Sequence, residues 1–194
     1  MSSLPSIRQK LTWKVHLPGG QKRLSEAVLY VSQKCEAAPF FGLVKLNKII
    51  WRADFESFAQ RGQPVTGRQY QRLKQGPAPV EMRPVLNELQ AGGLLAINVV
   101  PQGSYEEQRP IALQPPMLRL FSPQDLEYLD RAISVYWDKT GSEVSEISHG
   151  IAWSTREETE AMPYELAYLS DQPVGRGQRA RLLKLAAEHG WNSK

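Results

Sequence analysis

The sequence predicts a mainly helical α+β protein, in which about six helices surround a small antiparallel sheet or hairpin within one compact domain. Six segments carry apolar residues at the three- and four-residue spacing that buries one face of a helix. Two short apolar runs separated by a polar loop are typical of a β-hairpin. A chain of 194 residues with 41% hydrophobic residues is long enough and apolar enough to form one core.

The N-terminal part, residues 1–20, predicts an irregular extension that ends in a Pro-Gly-Gly turn. Within it, residues 11–17 alternate apolar and polar side chains, which favours a strand. The first helix follows over residues 22–37 and ends before a proline. Cys35 lies on the apolar face of this helix, where we expect a buried and unreactive thiol.

A second helix is predicted over residues 42–61, with Gly62 as its C-terminal stop. Asp54 lies at the centre of its apolar arc. A buried carboxylate is costly unless it is hydrogen-bonded or paired, so we expect a partner for it. Four charged side chains fall on the opposite stripe of the helix, which we expect to face solvent: Lys45, Lys48, Arg52 and Glu56.

The middle of the chain predicts a short strand around Tyr70 and a break at residues 76–79, where two prolines interrupt regular structure. A third helix begins at residue 79 or 80 and ends at a Gly-Gly pair. The hairpin follows, with strands over residues 94–100 and 109–113.

Two helices in the second half of the chain begin with capping sequences. Ser122 is followed by a proline and then by an aspartate in the first turn, which predicts a helix that continues to the residue before Thr140. Thr140 and Glu143 form a capping box for a helix that we expect to run to about Trp153. A last helix is predicted over residues 178–189.

The chain divides into an N-terminal extension (1–20), a helical domain (21–171) and a basic C-terminal helix or tail (172–194). Charge is unevenly distributed, because residues 1–62 carry 10 basic and 4 acidic groups whereas residues 123–171 carry 3 and 11. These two segments either pack together and neutralise each other or form a bipolar surface for a charged partner. The basic ends are typical of solvated tails, although they leave a nucleic-acid-binding regulator open.

Residues that carry chemistry are sparse. The single cysteine excludes a disulfide framework and a cysteine zinc cluster, and it fits a reducing cytoplasm. The sequence has no phosphate-binding loop, dinucleotide-binding glycine pattern or nucleophile elbow. His16, His149 and His189 form no short-range ligand pair, and no apolar run reaches the ~18 residues that a membrane span needs. We therefore expect a cytoplasmic binding protein that is not an enzyme and needs no metal or cofactor.

Residues 45–79 resemble the opening motif of the Panacea domain, which characterises SocA-like antitoxins and phage-associated proteins. The motif combines a Lys-Leu-x-Lys helix, an Ala-Asp turn, a Gly-x-Pro loop and a segment ending in Gly-Pro. The later run SEISHGIAW resembles the family's Ser-His helix, and residues 162–165 resemble its usual close. The matching residues are Lys45, Leu46, Lys48, Ala53, Asp54, Gly62, Pro64, Thr66, Gly67, Tyr70, Gly76, Pro77, Ser148, His149 and Trp153.

The resemblance implies an antitoxin of a bacterial or phage-borne toxin–antitoxin system, which neutralises its cognate toxin by direct protein–protein binding. Some family members deliver a toxin to a protease instead, so a proteolytic adaptor stays open. Neutralisation by binding needs a stable scaffold and a contact patch of roughly 800 Å² per partner, without a catalytic residue.

Two sets of candidate residues combine the helical spacing with the resemblance. For Asp54, the candidate hydrogen-bond donors are Tyr70, His149 and backbone amides beside the Gly-Pro pair. The motif places Asp54 and the Ser-His helix in one domain, so we expect His149 to be the partner in a structural contact rather than a catalytic dyad. The basic stripe is either simply solvated or borders the toxin-binding surface with two further residues; that candidate surface comprises Lys45, Lys48, Arg52, Arg68 and Lys74.

Overall fold

A computed structural model of the chain describes residues 11–102 and 105–169. In this part it contains six α-helices and two small antiparallel sheets, which confirms the predicted fold class. The predicted helix at residues 178–189, like residues 1–10 and 172–194, lies outside the described residues. The helices are α1 (Lys22–Lys34), α2 (Leu43–Arg61), α3 (Met82–Ala91), α4 (Pro123–Tyr136), α5 (Gly141–Ile147) and α6 (Ile151–Ser154). The strands are β1 (Tyr70–Leu73), β2 (Gly76–Pro79), β3 (Leu95–Gln102), β4 (Tyr105–Ala112) and β5 (Ala161–Met162).

Helix α2 lies at the centre of the molecule and contacts α1, α4, α5 and β2. Its residues Leu46, Ile50 and Ala53 are fully buried in the main core. The helix ends at Gly62, whose φ of 72° lies in the left-handed region that favours glycine. A second, aromatic cluster packs at the C-terminal half of α2 and comprises Phe55, Phe58, Tyr70, Met162 and Tyr164.

The predicted N-caps at Ser122 before α4 and at Thr140 before α5 are both present, and each forms a capping box. The helix expected to run from Thr140 to Trp153 is instead divided into α5 and α6. Gly150 has extended backbone angles (φ −68°, ψ −172°), so the α-helical conformation is interrupted there and α6 begins at the next residue. The sequence-based boundary was wrong here because the spacing of the apolar residues continues across the corner.

The predicted break at residues 76–79 is in fact strand β2, which pairs antiparallel with β1. Both prolines are tolerated because they occupy alternate positions in an edge strand. The N–H of Val80 donates to the Gln69 carbonyl (2.9 Å), so the main-chain groups of Val80, Ala78 and Gly76 point towards β1. The main-chain groups of Pro77 and Pro79 point the other way, and their missing N–H donors therefore lie on the outer side of the sheet.

The predicted strand at residues 11–17 is absent, although this segment lies extended against the core. The Val15 N–H donates to the Gly67 carbonyl (3.0 Å), and the Tyr164 N–H donates to the Thr12 carbonyl (2.8 Å). These single bonds go to two different segments, so no continuous ladder forms. The predicted hairpin is present as β3 and β4, and it extends further towards its tip than the sequence indicated.

The basic first third of the chain packs against the acidic segment that contains α4. The Asp125 carboxylate accepts from Arg23 Nη2 (3.0 Å) and forms a second ion pair with Arg61. Asp130 on α4 accepts from the Tyr30 hydroxyl (2.7 Å) of α1. These contacts support mutual neutralisation of the two segments. No helix among the described residues combines the length and apolar character of a membrane-spanning segment.

Candidate functional site

Lys48 lies on the middle of α2 and is only 1% exposed. Its Nζ donates to the Pro77 carbonyl of β2 (2.8 Å). Among the described residues, no carboxylate forms an ion pair with it, and burial lowers the pKa of the Lys48 ammonium to about 7. The prediction that this residue belongs to a solvent-exposed stripe is therefore wrong.

Three parts of the motif meet around Lys48. Gly76 has a φ of 96°, and a Cβ atom there would lie 2.6 Å from Lys48 Cε and against Ser148 Oγ. Only glycine fits this position, because both the backbone conformation and the space exclude a side chain. Ser148 is itself buried and donates to the Ser145 carbonyl (2.7 Å). The Lys48 corner, formed by Lys48, Gly76, Pro77 and Ser148, thus joins α2 to the β1–β2 hairpin and to the end of α5.

Aromatic stacking fixes the junction of α5 and α6 against the same hairpin. The His149 and Trp153 rings stack with their centroids 3.8 Å apart, and the Arg72 guanidinium lies 3.9 Å from the Trp153 ring. Trp153 Nε1 also donates to the Leu73 carbonyl (2.8 Å). Partial burial and the nearby charges of Lys48 and Arg72 lower the pKa of His149.

Asp54 is fully buried, as the sequence predicted. Its carboxylate accepts from the Thr66 N–H (2.6 Å), the Thr66 hydroxyl, the Tyr70 hydroxyl (2.7 Å) and the Tyr164 hydroxyl (3.3 Å). Burial raises the pKa of Asp54, while these hydrogen bonds oppose the rise. Burial and the Asp54 charge together hold the pKa values of both tyrosines well above their usual range. The Asp54 cluster, formed by Asp54, Thr66, Tyr70 and Tyr164, is a network of neutral donors around one carboxylate.

The expected contact between Asp54 and His149 is absent, whereas the expected contact with Tyr70 is present. Lys48 and Asp54 are six residues apart on α2, which separates them by about 9 Å along the axis and roughly 120° around it. The junction of α5 and α6, which carries Ser148 and His149, packs at Lys48. It therefore lies beyond the reach of Asp54.

The other predicted partner-binding residues are distributed between the core and the surface. Lys45 is 1% exposed, and its Nζ donates to the carbonyls of Pro39 (2.7 Å) and Trp137 (3.1 Å). Burial lowers the pKa of Lys45 as well. Arg68 is also buried. The expectation of an exposed stripe fails because backbone carbonyls from neighbouring elements accept from both lysines on α2.

Arg52 and Lys74 remain accessible among the predicted candidates. Lys74 is exposed at the β1–β2 turn. Arg52 is half-buried, pairs with Glu56, and lies 5.6 Å from the Tyr136 ring. Sequence analysis correctly put Arg52 and Glu56 on one stripe, and a role of these residues in partner binding stays a prediction.

Arg52 borders a groove that sequence analysis missed. The α2 groove has a volume of about 350 Å³ and runs between α2, the α5–α6 corner and the 3-10 turn Tyr164–Tyr168. Trp51, Phe55 and Ala59 line its α2 side. Their spacing of four residues is visible in the sequence, but it equally describes a core face. Polar and apolar groups border the groove, among them Arg52, Glu56, Gln60, Arg131, Ile147 and Leu169.

Several side chains at the α2 groove are incompletely satisfied. The Trp51 Nε1 donor and the Glu56 Oε2 acceptor are buried and have no hydrogen-bond partner among the described residues. Ile147 and Leu169 are 47% and 49% exposed. Exposed apolar side chains beside a groove are typical of a protein-binding site.

The described residues contain no group of three or more histidine, cysteine, aspartate or glutamate side chains placed to hold a metal ion. The Cys35 thiol is buried, which raises its pKa to about 12 and keeps it protonated at neutral pH. The expectation of an inert core cysteine agrees with this environment.

The described residues form a small α+β scaffold with the α2 groove on its surface. The chain belongs to the family described as antitoxin SocA-like, Panacea domain, whose family model matches residues 46–154, more than half of the chain. The matched range contains the Lys48 corner, together with Asp54, Thr66 and Tyr70 of the Asp54 cluster. A search of curated proteins gave no match, and a search of solved structures gave none.

Proposed function

We propose that this protein neutralises a cognate toxin by binding it directly and that it catalyses no reaction itself. Membership of the SocA-like antitoxin family is the observation that carries the proposal. The motif residues support it in a specific way, because Lys48, Asp54 and Ser148 all hydrogen-bond within the scaffold. Their contacts are those of residues that maintain a shape for a partner to recognise.

The α2 groove is the surface that we assign to the toxin. Its volume of about 350 Å³ accommodates one or two anchoring side chains of a partner. Trp51 supplies an aromatic wall of the groove. Arg52, Glu56 and Arg131 provide both signs of charge at the rim. Lys45, Lys48 and Arg68 then act as scaffold residues, in contrast to the sequence-based candidate surface.

Co-expression tests this function directly. The reading frame next to this one is expressed alone and together with this chain, and growth and complex formation are measured. We expect toxicity from the neighbour alone, rescue by co-expression, and a stoichiometric complex that survives size-exclusion chromatography. Rescue at strongly substoichiometric amounts without a protease would contradict neutralisation by direct binding.

A groove-blocking variant tests the surface. Ala59→Arg places a long charged side chain on the α2 wall of the groove, whereas Ser134→Arg places the same side chain on an exposed position of α4. We expect Ala59→Arg to weaken toxin binding at least tenfold while Ser134→Arg binds like wild type, with similar melting temperatures for both. Equal binding by the two variants would place the toxin elsewhere.

The two alternative functions give different results in the same system. A proteolytic adaptor rescues growth only in cells that contain the protease, and toxin levels fall after co-expression. A nucleic-acid-binding regulator binds DNA or RNA with an affinity that decreases steeply with salt concentration. Direct neutralisation leaves toxin levels unchanged and requires neither the protease nor the nucleic acid.

A further inference from the structure

The described strands differ in how their outer edges are protected. Unpaired strand edges promote association, and proteins usually block them with prolines, charges or covering segments. In the first sheet, the outer side of β2 carries Pro77 and Pro79, which lack the N–H donor. At the other edge, β5 has only two residues. Neither edge offers a continuous row of main-chain groups.

The register of the second sheet shows which main-chain groups point outwards. The Leu113 N–H donates to the Leu94 carbonyl (2.8 Å), which makes these two residues a hydrogen-bonded pair. Since such pairs alternate with non-hydrogen-bonded pairs, the main-chain groups of Leu95, Ile97 and Val99 point away from β4. The main-chain groups of Pro101, two residues after Val99, also point away from β4.

The outer edge of β4 is covered by the loop between α1 and α2. The Arg109 guanidinium donates to the carbonyls of Glu36 (2.7 Å) and Ala38 (2.9 Å) in this loop. Gly42 approaches so closely that a Cβ atom there would lie 3.4 Å from the Gln108 carbonyl oxygen. Glu107 is only 7% exposed. This edge is therefore closed to another strand.

The outer edge of β3 lacks these protections around Asn98 and Val99, whereas Leu95 is buried at the start of the strand and Pro101 has no N–H near its end. The strand sequence LAINVVPQ contains no charged residue. Within the described residues, no main-chain group of β3 forms a hydrogen bond outside the hairpin. Asn98 is exposed, and Val99 is 56% exposed although it is apolar. β3 thus presents an open, uncharged edge that is available for strand addition.

We propose that β3 pairs antiparallel with β3 of a second copy of this chain, which gives a continuous four-stranded sheet of order β4-β3-β3-β4. An isologous pair places the same strand on both sides of a two-fold axis, so any charge on it would meet its own sign. The uncharged β3 satisfies this condition, whereas β4 with Glu106, Glu107 and Arg109 does not. Asn98 and Val99 lie at the middle of the strand, where the axis would pass.

Sedimentation velocity over ~1–200 µM protein tests the pairing with the isolated chain. We expect a concentration-dependent dimer of about twice the monomer mass of 21.9 kDa. Val99→Pro removes an outward N–H without removing a bond between β3 and β4, and Val99→Lys introduces a charge at the open edge. Each variant should weaken dimerisation at least tenfold. Gln108→Lys, opposite Val99 on the covered strand, is the matched control and should dimerise like wild type.

The outcomes separate this proposal from the proposed function, because the sedimentation experiment uses the chain alone. A wild-type chain that stays monomeric over the whole concentration range overturns the pairing. The pairing is also overturned if both Val99 variants dimerise like wild type and have the melting temperature of wild type. If the chain is monomeric and the Val99 variants lose toxin binding, a strand of the toxin occupies the edge and the second copy does not.

Discussion

Lys48 and Asp54 lie six residues apart on α2, and both charged groups are buried, yet the two sites are built differently. The Asp54 carboxylate accepts from one amide and three hydroxyl groups. The Lys48 ammonium donates to one carbonyl, that of Pro77. Neither charge forms an ion pair with an opposite charge among the described residues. The chain therefore holds two ionisable groups in its core by hydrogen bonds to neutral groups, with a much fuller network at Asp54.

This difference indicates how each site contributes to stability. A carboxylate with four donors regains much of the hydration that it loses on burial, so removing it leaves several donors without a partner. An ammonium with one acceptor remains poorly solvated and favours its neutral form, in agreement with its pKa of about 7. We expect the loss of Asp54 to be costly at any pH, and we expect the contribution of Lys48 to depend on pH.

The largest effect is expected from Asp54→Ala, which removes the acceptor of the Asp54 cluster. The Thr66 amide and hydroxyl and the Tyr70 hydroxyl would lose their buried acceptor, whereas the Tyr164 hydroxyl keeps the Arg68 carbonyl (2.7 Å) as its acceptor. We expect a cost of about 3 kcal/mol in the free energy of unfolding. Urea denaturation measures this loss, and Asp54→Asn, which keeps one carbonyl oxygen, should lose less.

Toxin rescue by Asp54→Ala should fall only in proportion to the folded protein. A variant with wild-type stability that does not rescue would show that Asp54 acts at the toxin surface, and it would contradict the interpretation of the cluster as structural.

A smaller effect is expected from Gly76→Ala, which places a methyl group in the Lys48 corner. The new Cβ would meet Lys48 and Ser148, and the φ of 96° is unfavourable for alanine, so we expect a loss of about 2 kcal/mol. Gly93→Ala is the matched control, since it has a φ of 65° but no neighbouring atom within 4 Å of the added Cβ. Equal losses in thermal unfolding would show that backbone strain alone explains the cost.

Sequence analysis predicted the Asp54 site better than the Lys48 site, for a physical reason. The inward position of Asp54 follows from the local helical spacing, because its neighbours on the same arc are apolar. The burial of Lys48 depends on a carbonyl of β2, almost thirty residues away, in a segment that the prolines marked as a break. The N-caps of α4 and α5 and the stop at Gly62 were predicted correctly because their signals lie within four residues.

The choice of His149 as the partner of Asp54 failed for a related reason. The motif order shows that the two residues belong to one domain, but it carries no information on which turn of α2 the Ser-His corner contacts. The corner packs at Lys48, where Gly76 leaves space for Ser148. The α2 groove was also missed, because Trp51, Phe55 and Ala59 have the spacing of a core face whether or not a neighbouring element covers them.

The smallest effect at pH 7 is expected from Lys48→Met, whose main consequence is a change in the pH dependence of stability. An unfolded lysine keeps its proton up to its ordinary pKa of 10.5, whereas burial lowers the pKa of the folded Lys48 to about 7. Between these values the unfolded state binds more protons, so this residue makes the free energy of unfolding rise with pH, by at most about 1.4 kcal/mol per pH unit. The rise begins near pH 7 and levels off only above pH 10.5, where the unfolded lysine also loses its proton.

Lys48→Met keeps the length of the side chain but has no proton to bind. Its free energy of unfolding, measured with urea at pH 7, 8, 9 and 10, should therefore rise less steeply than that of wild type. Relative to wild type, the variant should be most stable at pH 7 and lose ground as the pH rises. Losing the hydrogen bond to the Pro77 carbonyl shifts the whole curve and does not change its slope. Lys74→Met at an exposed position is the control, and its curve should run parallel to that of wild type. A Lys48→Met curve that also runs parallel would mean that Lys48 is solvated as a cation in the folded protein, and the contrast with Asp54 would then be lost.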